Sequence, residues 1–195
     1  MAERFKNKYR IPSIRLPHWD YGWNGAYFIT ICTKNRACYF GALENGEMIL
    51  SGIGRIALNF WKEIPNHFSF VVLDEFVIMP NHIHGIIIID KRDNGKTNES
   101  TVLVETRHCL VSTTTPVQNR FRNPGSNNIS SIVGSYKSVV SKNAHRINKI
   151  FAWQPRFYDR IIRGEREFRR IRQYIRSNPQ KWEYDSNNRD RLRTS

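Results

Sequence analysis

The sequence predicts an α+β fold, an antiparallel sheet with helices on one face. Three observations carry it. Two apolar runs, "FSFVVLDEFVIM" and "HIHGIIIID", flank the turn signal Pro80-Asn81 and read as antiparallel neighbours. The helical periods near residues 54–66 and from residue 129 onward fall between strands, in the order strand, hairpin, helix, strand, strand, helix. Finally, 195 residues at 39% hydrophobic and 12% aromatic suffice to bury one core of ordinary domain size.

Taken in order, residues 1–25 form a basic and aromatic arm, expected to be irregular, with Arg4, Lys6, Lys8, Arg10 and Arg15 ahead of Trp19, Tyr21 and Trp23. The alternating "AYFITICT" is a strand, and "CYFGALENGEMILS" a hairpin turning at Asn45-Gly46. Ile56, Leu58, Phe60, Trp61 and Ile64 suit a helix over residues 54–66, which Pro65 helps to end. Residues 91–128 change to Asn, Thr, Ser, Arg and Pro, with one short apolar patch at 102–111, and read as a long insertion. Ile129, Ile132, Val133, Tyr136, Val139 and Val140 resume a helical period; "FAWQPRFYDRII" is extended; a last helix runs from about Gly164 to Ser177, where Asn178-Pro179 stops it. The natural packing is ferredoxin-like, with a C-terminal helical extension. The domain spans 26–182, followed by a polar, basic tail, 183–195.

Charge narrows the function. There are 31 Lys and Arg against 17 Asp and Glu, a formal net charge of +14. Such an excess argues for a polyanionic partner, because each neutralised phosphate releases condensed counterions. A membrane partner is disfavoured: no lipidation signal, broad apolar helix face or spanning-length run is present. The N-terminal stretch lacks a secretory signal, and three cysteines without CxxC spacing fit a reducing cytoplasm. The basic excess concentrates in residues 129–195, with 16 Lys and Arg against 6 Asp and Glu. Aromatic Trp153, Phe157, Tyr158, Tyr174 and Trp182 are interleaved there, a mixture suited to single-stranded nucleic acid, whose bases stack and whose phosphates pair with arginine.

Two small constellations carry chemistry. In "PNHIHG", His82 and His84 are two apart on a strand, so they share a face roughly 6.5–7 Å apart along the chain. Converging neutral imidazoles can grip a divalent metal; the alternative is a polar pair beside a turn. In "REFRRIRQYIRSNP", Phe168, Ile171 and Ile175 form a buried stripe, and Tyr174 and Asn178 stack on a neighbouring face. Tyrosine could instead extend the stripe, with asparagine capping the end. Arg169, Arg170, Arg172 and Arg176 spread around the rest, as a nucleic-acid surface or a solvated face. A zinc-dependent nucleobase deaminase is excluded, since its H-x-E and P-C-x-x-C parts are absent.

The blocks "GAYFITICTKNR", "VIMPNHIHGIII", "VGSYKS" and "FYDRIIRGEREFRRIRQYIRSNPQKW", in this order, resemble the REP-associated tyrosine transposases, a branch of the single-tyrosine HUH (His–hydrophobic–His) transposases. The resemblance runs from Ile11 to Trp182, loosely over 91–128. It implies a ferredoxin-like endonuclease and strand transferase acting on single-stranded DNA through a 5′-phosphotyrosine. It also implies that His82, His84 and Asn178 bind Mg²⁺ or Mn²⁺ and that Tyr174 is the nucleophile. The ligand at Asn178 is glutamine in simpler insertion-sequence relatives. Tyr158 in "RFYDR" is the alternative nucleophile, and Tyr136 is expected to pack. The implied substrate is a hairpin-forming palindromic repeat, held by Arg4, Lys6, Lys8, Arg10, Arg15, Lys137, Arg156 and Arg170. The resemblance further implies a cytoplasmic, nucleoid-associated protein acting as a monomer, where simpler relatives are dimers. The competing function is a module on the same fold that holds hairpin nucleic acid without cutting it.

Overall fold

The computed structural model describes residues 19–91, 127–185, 187 and 188, together with the backbone of two short strands, β1 (Arg4–Phe5) and β2 (Lys8–Tyr9). These two pair antiparallel, so the arm expected to be irregular contains a small strand pair. The body of the expected insertion, 92–126, lies outside the described residues, as do Lys6, Arg10 and Arg15 and the side chains of Arg4 and Lys8.

Next come β3 (Gly25–Cys32), the hairpin β4 (Gly41–Glu44) and β5 (Glu47–Leu50), α1 (Gly52–Lys62) and α2 (Ile64–His67). They are followed by β6 (Val71–Ile78), β7 (His82–Ile89), α3 (Ile129–Ala144), β8 (Tyr158–Ile162) and α4 (Glu165–Ser177). The hairpin turns at Asn45 and Gly46, both left-handed at φ 53° and 79°. Helix α1 begins where the Ser51 hydroxyl accepts from the Gly54 N–H at 3.0 Å. It stops at Lys62, short of the expected Asn66. Pro65 then lies in the first turn of α2, where its missing N–H leaves no helical bond unmade. A reciprocal Asn128–Ser131 capping box starts α3.

The main sheet has the order β6-β7-β3-β8, antiparallel throughout, and with α1 and α3 it makes the ferredoxin-like arrangement. On one face, Tyr27, Ile29, Ile31, Ile83, Ile87 and Ile89 pack with Ile53, Ala57 and Trp61 of α1 and Ile132, Val133, Tyr136 and Val140 of α3. On the other, Phe28, Ile86 and Ile162 receive Phe168, Ile171 and Ile175 of α4. The expected helices therefore share one face, and the C-terminal extension covers the opposite one. This is why β7 carries an unbroken isoleucine run: a central strand covered on both sides has no solvent face to alternate with.

Gly85, which follows the histidine pair, has a packing reason. A Cβ there would sit 2.3 Å from Trp61 Cζ2, and Trp61 is itself fully buried. Gly85→Ala is expected to cost about 1–3 kcal/mol by overpacking. A thermal melt reads this, and an unchanged midpoint would mean that Trp61 yields freely.

Candidate metal and tyrosine site

Register assembles the site. His82 and His84 project from β7 toward the α4 side, opposite Ile83, and the sheet pairs Thr30 with His84 and Cys32 with His82. The His84 Nδ1 lies 2.8 Å from Thr30 Oγ1. The His82 Nδ1 lies 2.8 Å from Asn81 Oδ1. Asn81 is fully buried, and its orientation is fixed because Nδ2 donates to the carbonyls of Arg36 (3.0 Å) and Asn187 (2.8 Å). Its Oδ1 therefore accepts, and His82 Nδ1 carries the proton. In a neutral ring this leaves the lone pair on Nε2.

The rings are neutral. Burial, reinforced by His84 and then by the Arg36 charge, holds His82 well below the ordinary imidazole value. Burial brings His84 down to about 4, against an opposing pull from Asp185. Neutral imidazole is the metal-ligating form. The His82 Nε2 is buried and has no hydrogen-bond partner.

Two C-terminal residues complete the cluster. Asp185, assigned from sequence to the polar tail, brings Oδ2 to 3.8 Å from His82 Nε2. Ligand atoms of His82, His84 and Asp185 all lie within 4.8 Å of one another. The chain does not stop at Asn178-Pro179 but tightens into a 3₁₀ turn, Pro179–Tyr184, which stacks Trp182 on His82 at 5.9 Å and returns Asp185 to the histidines. Asn178 is 3% exposed, its side chain makes no cap hydrogen bond, and its Oδ1 is buried without a partner. Two neutral imidazoles, an orphaned ring nitrogen, an orphaned amide oxygen and a carboxylate form a donor set that fits a divalent cation.

Helix α4 delivers the tyrosine. The Tyr174 hydroxyl lies 3.2 Å from His84 Nε2, between residues 90 apart in sequence, and its ring packs edge-on to Phe28 at 6.0 Å. Burial raises the phenol above its ordinary value of 10.0, Asp185 adds to this, and the Asn178 amide pulls the other way. The helix is tied to the sheet by charge as well as by its apolar stripe. A β-bulge between Leu73 and Phe76 interrupts β6, and the two residues within it meet α4. The Arg172 guanidinium grips both Asp74 oxygens, with Nε at 2.7 Å from Oδ1, and Arg176 Nε reaches Glu75 Oε2 at 2.7 Å. These arginines, open in the sequence to a nucleic-acid or solvated role, are anchors.

The other expected residues are placed as follows. Tyr158 pairs with Thr30 on the far side of β3 from His84 and packs edge-on to Phe28 at 6.4 Å. Tyr174, not Tyr158, reaches a histidine. Tyr136 is buried in the core and donates to the Ala57 carbonyl at 2.9 Å. Lys137 is held inward, its Nζ donating to the carbonyls of Gln154 (2.7 Å) and Arg156 (3.0 Å). Arg156 and Arg170 are exposed, with Arg170 3.9 Å from Glu167. Sequence reasoning missed Asp185, Thr30, Asn81 and the Asp74–Glu75 anchor. Only Asn81 left a signal, as the neighbour of His82 in "PNHIHG".

Asn81→Leu is expected to weaken divalent-metal binding by about 10–100-fold, the usual cost of losing a ligand's orienting partner. A Mn²⁺ titration checks this, and wild-type affinity would show that the tautomer is set elsewhere.

An antiparallel sheet with a histidine pair on its central strand and a tyrosine helix laid across it has the fold of the REP-associated tyrosine transposases. A solved structure of one, bound to a REP hairpin, matches with a TM-score of 0.56 at 17% identity, covering 90% of this chain and 76% of that one. The sequence itself is 41% identical over 174 residues to an uncharacterized protein of Haemophilus influenzae, covering 89% of this chain and 90% of the relative. The chain belongs to one family with that protein. No family model matches. Among the described residues, no helix is long and apolar enough to cross a membrane.

Proposed function

We propose that the protein is a metal-dependent single-stranded DNA endonuclease and strand transferase, a transposase, that cleaves beside hairpin-forming palindromic repeats. The observation that supports this most directly is the Tyr174 hydroxyl 3.2 Å from His84 Nε2. A nucleophile and a metal-binding pair from distant parts of the chain converge there. The structural neighbour's bound hairpin supports the substrate class. The meeting of tyrosine and histidines within one chain supports a monomer as the acting unit, on chromosomal DNA in the cytoplasm.

His82, His84 and Asp185 would hold the ion, with Asn178 Oδ1 as a further donor. Bound Mg²⁺ or Mn²⁺ would polarise the phosphate and offset the charge that develops on it. Tyr174 keeps its proton at neutral pH and is a weak nucleophile until that proton leaves. The Asn178 amide, which pulls the phenol toward ionisation, would stabilise the phenolate. Attack by the tyrosine oxygen forms the phosphotyrosine bond and breaks the bond to the 3′-oxygen. The 3′-oxygen takes up a proton and leaves as a free hydroxyl, and the phosphodiester's energy is kept for religation. Helix α4, fixed through Phe168, Ile171, Ile175 and the Arg172–Asp74 pair, holds the tyrosine in reach.

Incubation with a single-stranded hairpin and Mn²⁺ or Mg²⁺, followed by a denaturing gel, is expected to show a covalent adduct. Hairpin binding with no adduct would assign the chain to the non-cutting module instead.

A further inference from the structure

Immediately after β3 the backbone does something expensive. Asn35 and Arg36 are both left-handed, at φ 55° and 54°. Asparagine tolerates that region; arginine does not favour it, and consecutive outliers of this kind are held only where the surroundings impose them. Here the surroundings belong to the histidine site. The Arg36 carbonyl accepts from Asn81 Nδ2 at 3.0 Å, and the same amide holds His82 Nδ1 through its oxygen. One side chain thus ties the strained turn to the metal-binding ring.

The turn leaves the Arg36 guanidinium unmatched. Its Nη1 is buried with no hydrogen-bond partner, and no carboxylate among the described residues forms an ion pair with it. Other arginines near the site, Arg172 and Arg176, have acidic partners. A buried cationic donor without an acceptor is costly unless a ligand supplies one. Guanidinium is planar and matched to phosphate oxygens. Its positive charge is felt at both His82 and Cys32, on adjacent strands of the site face.

We propose that Arg36 is a phosphate-binding residue of this site, its guanidinium taking a non-bridging oxygen of a phosphodiester in the DNA strand bound there. This rests on the reading of the site as a DNA-cleaving centre. It adds a fixed positive charge, supplied by the protein, beside the metal donors.

The test uses Tyr174→Phe protein, in which binding is read without cleavage. Hairpin DNAs are compared in which the single-stranded phosphodiesters next to the stem are replaced, one at a time, by neutral methylphosphonates. With Arg36 present, one position is expected to lose about tenfold in affinity. In Arg36→Gln the penalty at that position is expected to shrink below about twofold while the others are unchanged. The same profile in both proteins would overturn the assignment. Arg36→Gly guards against misfolding: it removes the guanidinium and relaxes the left-handed backbone. It is expected to melt no lower than its parent and to show the same loss.

A titration with inorganic phosphate, alongside the adduct assay on protein with Tyr174 intact, separates the two ideas. Arg36-dependent phosphate binding by a protein that forms no adduct would keep the anion site and sink the cleavage reading. Adduct formation with an Arg36-independent phosphonate profile would do the reverse. Neither effect would remove both.

Discussion

Under the proposed function, Tyr174→Phe is expected to lower formation of the covalent protein–DNA adduct by more than about a thousandfold and to leave hairpin affinity within about twofold. The expectation is sharp because the substitution removes one oxygen and little else. The ring keeps its edge contacts to Phe28 at 6.0 Å and His84 at 5.2 Å. The helix keeps Phe168, Ile171 and Ile175 in their apolar seat and Arg172 on Asp74. The lost hydrogen bond to His84 is long, at 3.2 Å, on a residue 43% exposed, so stability changes by less than about 1 kcal/mol. An adduct persisting at the wild-type rate would move the nucleophile, with Tyr158 the next residue to test.

On the same reading, His82→Ala is expected to remove metal-dependent cleavage and to lower Mn²⁺ affinity by more than the ~10–100-fold that losing an outer partner costs. The argument is again geometric. His82 is wholly buried, its tautomer is fixed by Asn81, and its Nε2 is the orphaned atom facing Asp185. Among the described residues, no hydrogen bond uses that lone pair. The change leaves a cavity beneath Trp182, so a melt accompanies the titration. Retained affinity in a folded variant, or cleavage undiminished by a chelator, would remove the metal from the site.

These expectations draw unequally on sequence and structure. The sheet was legible because its signals are local: the Pro80-Asn81 turn, the Asn45-Gly46 hairpin and apolar runs of strand length. The histidine pair was legible for the same reason, since two-residue spacing on a strand forces a shared face. The break of α1 at Lys62 was not, because a proline one turn later can end a helix or begin another, and packing decided. Lys137, expected to hold nucleic acid, also donates to two backbone carbonyls, a pairing that nothing in "GSYKS" reveals.

What the sequence by itself determined was most of the main strands and helices, the antiparallel character of the sheet, the basic character of the chain and the shared face of His82 and His84. All follow from periodicity and charge, which act between near neighbours. Only the tertiary structure decided that Tyr174 reaches His84, that Asp185 returns from the tail to His82, and that Asn81 orients the ring. It also decided that the Arg36 Nη1 is buried without a partner among the described residues. Those pairings depend on strand register, on the side of the sheet that α4 covers, and on the 3₁₀ turn beyond it. Each is set by how distant apolar faces pack, and no local spacing encodes that.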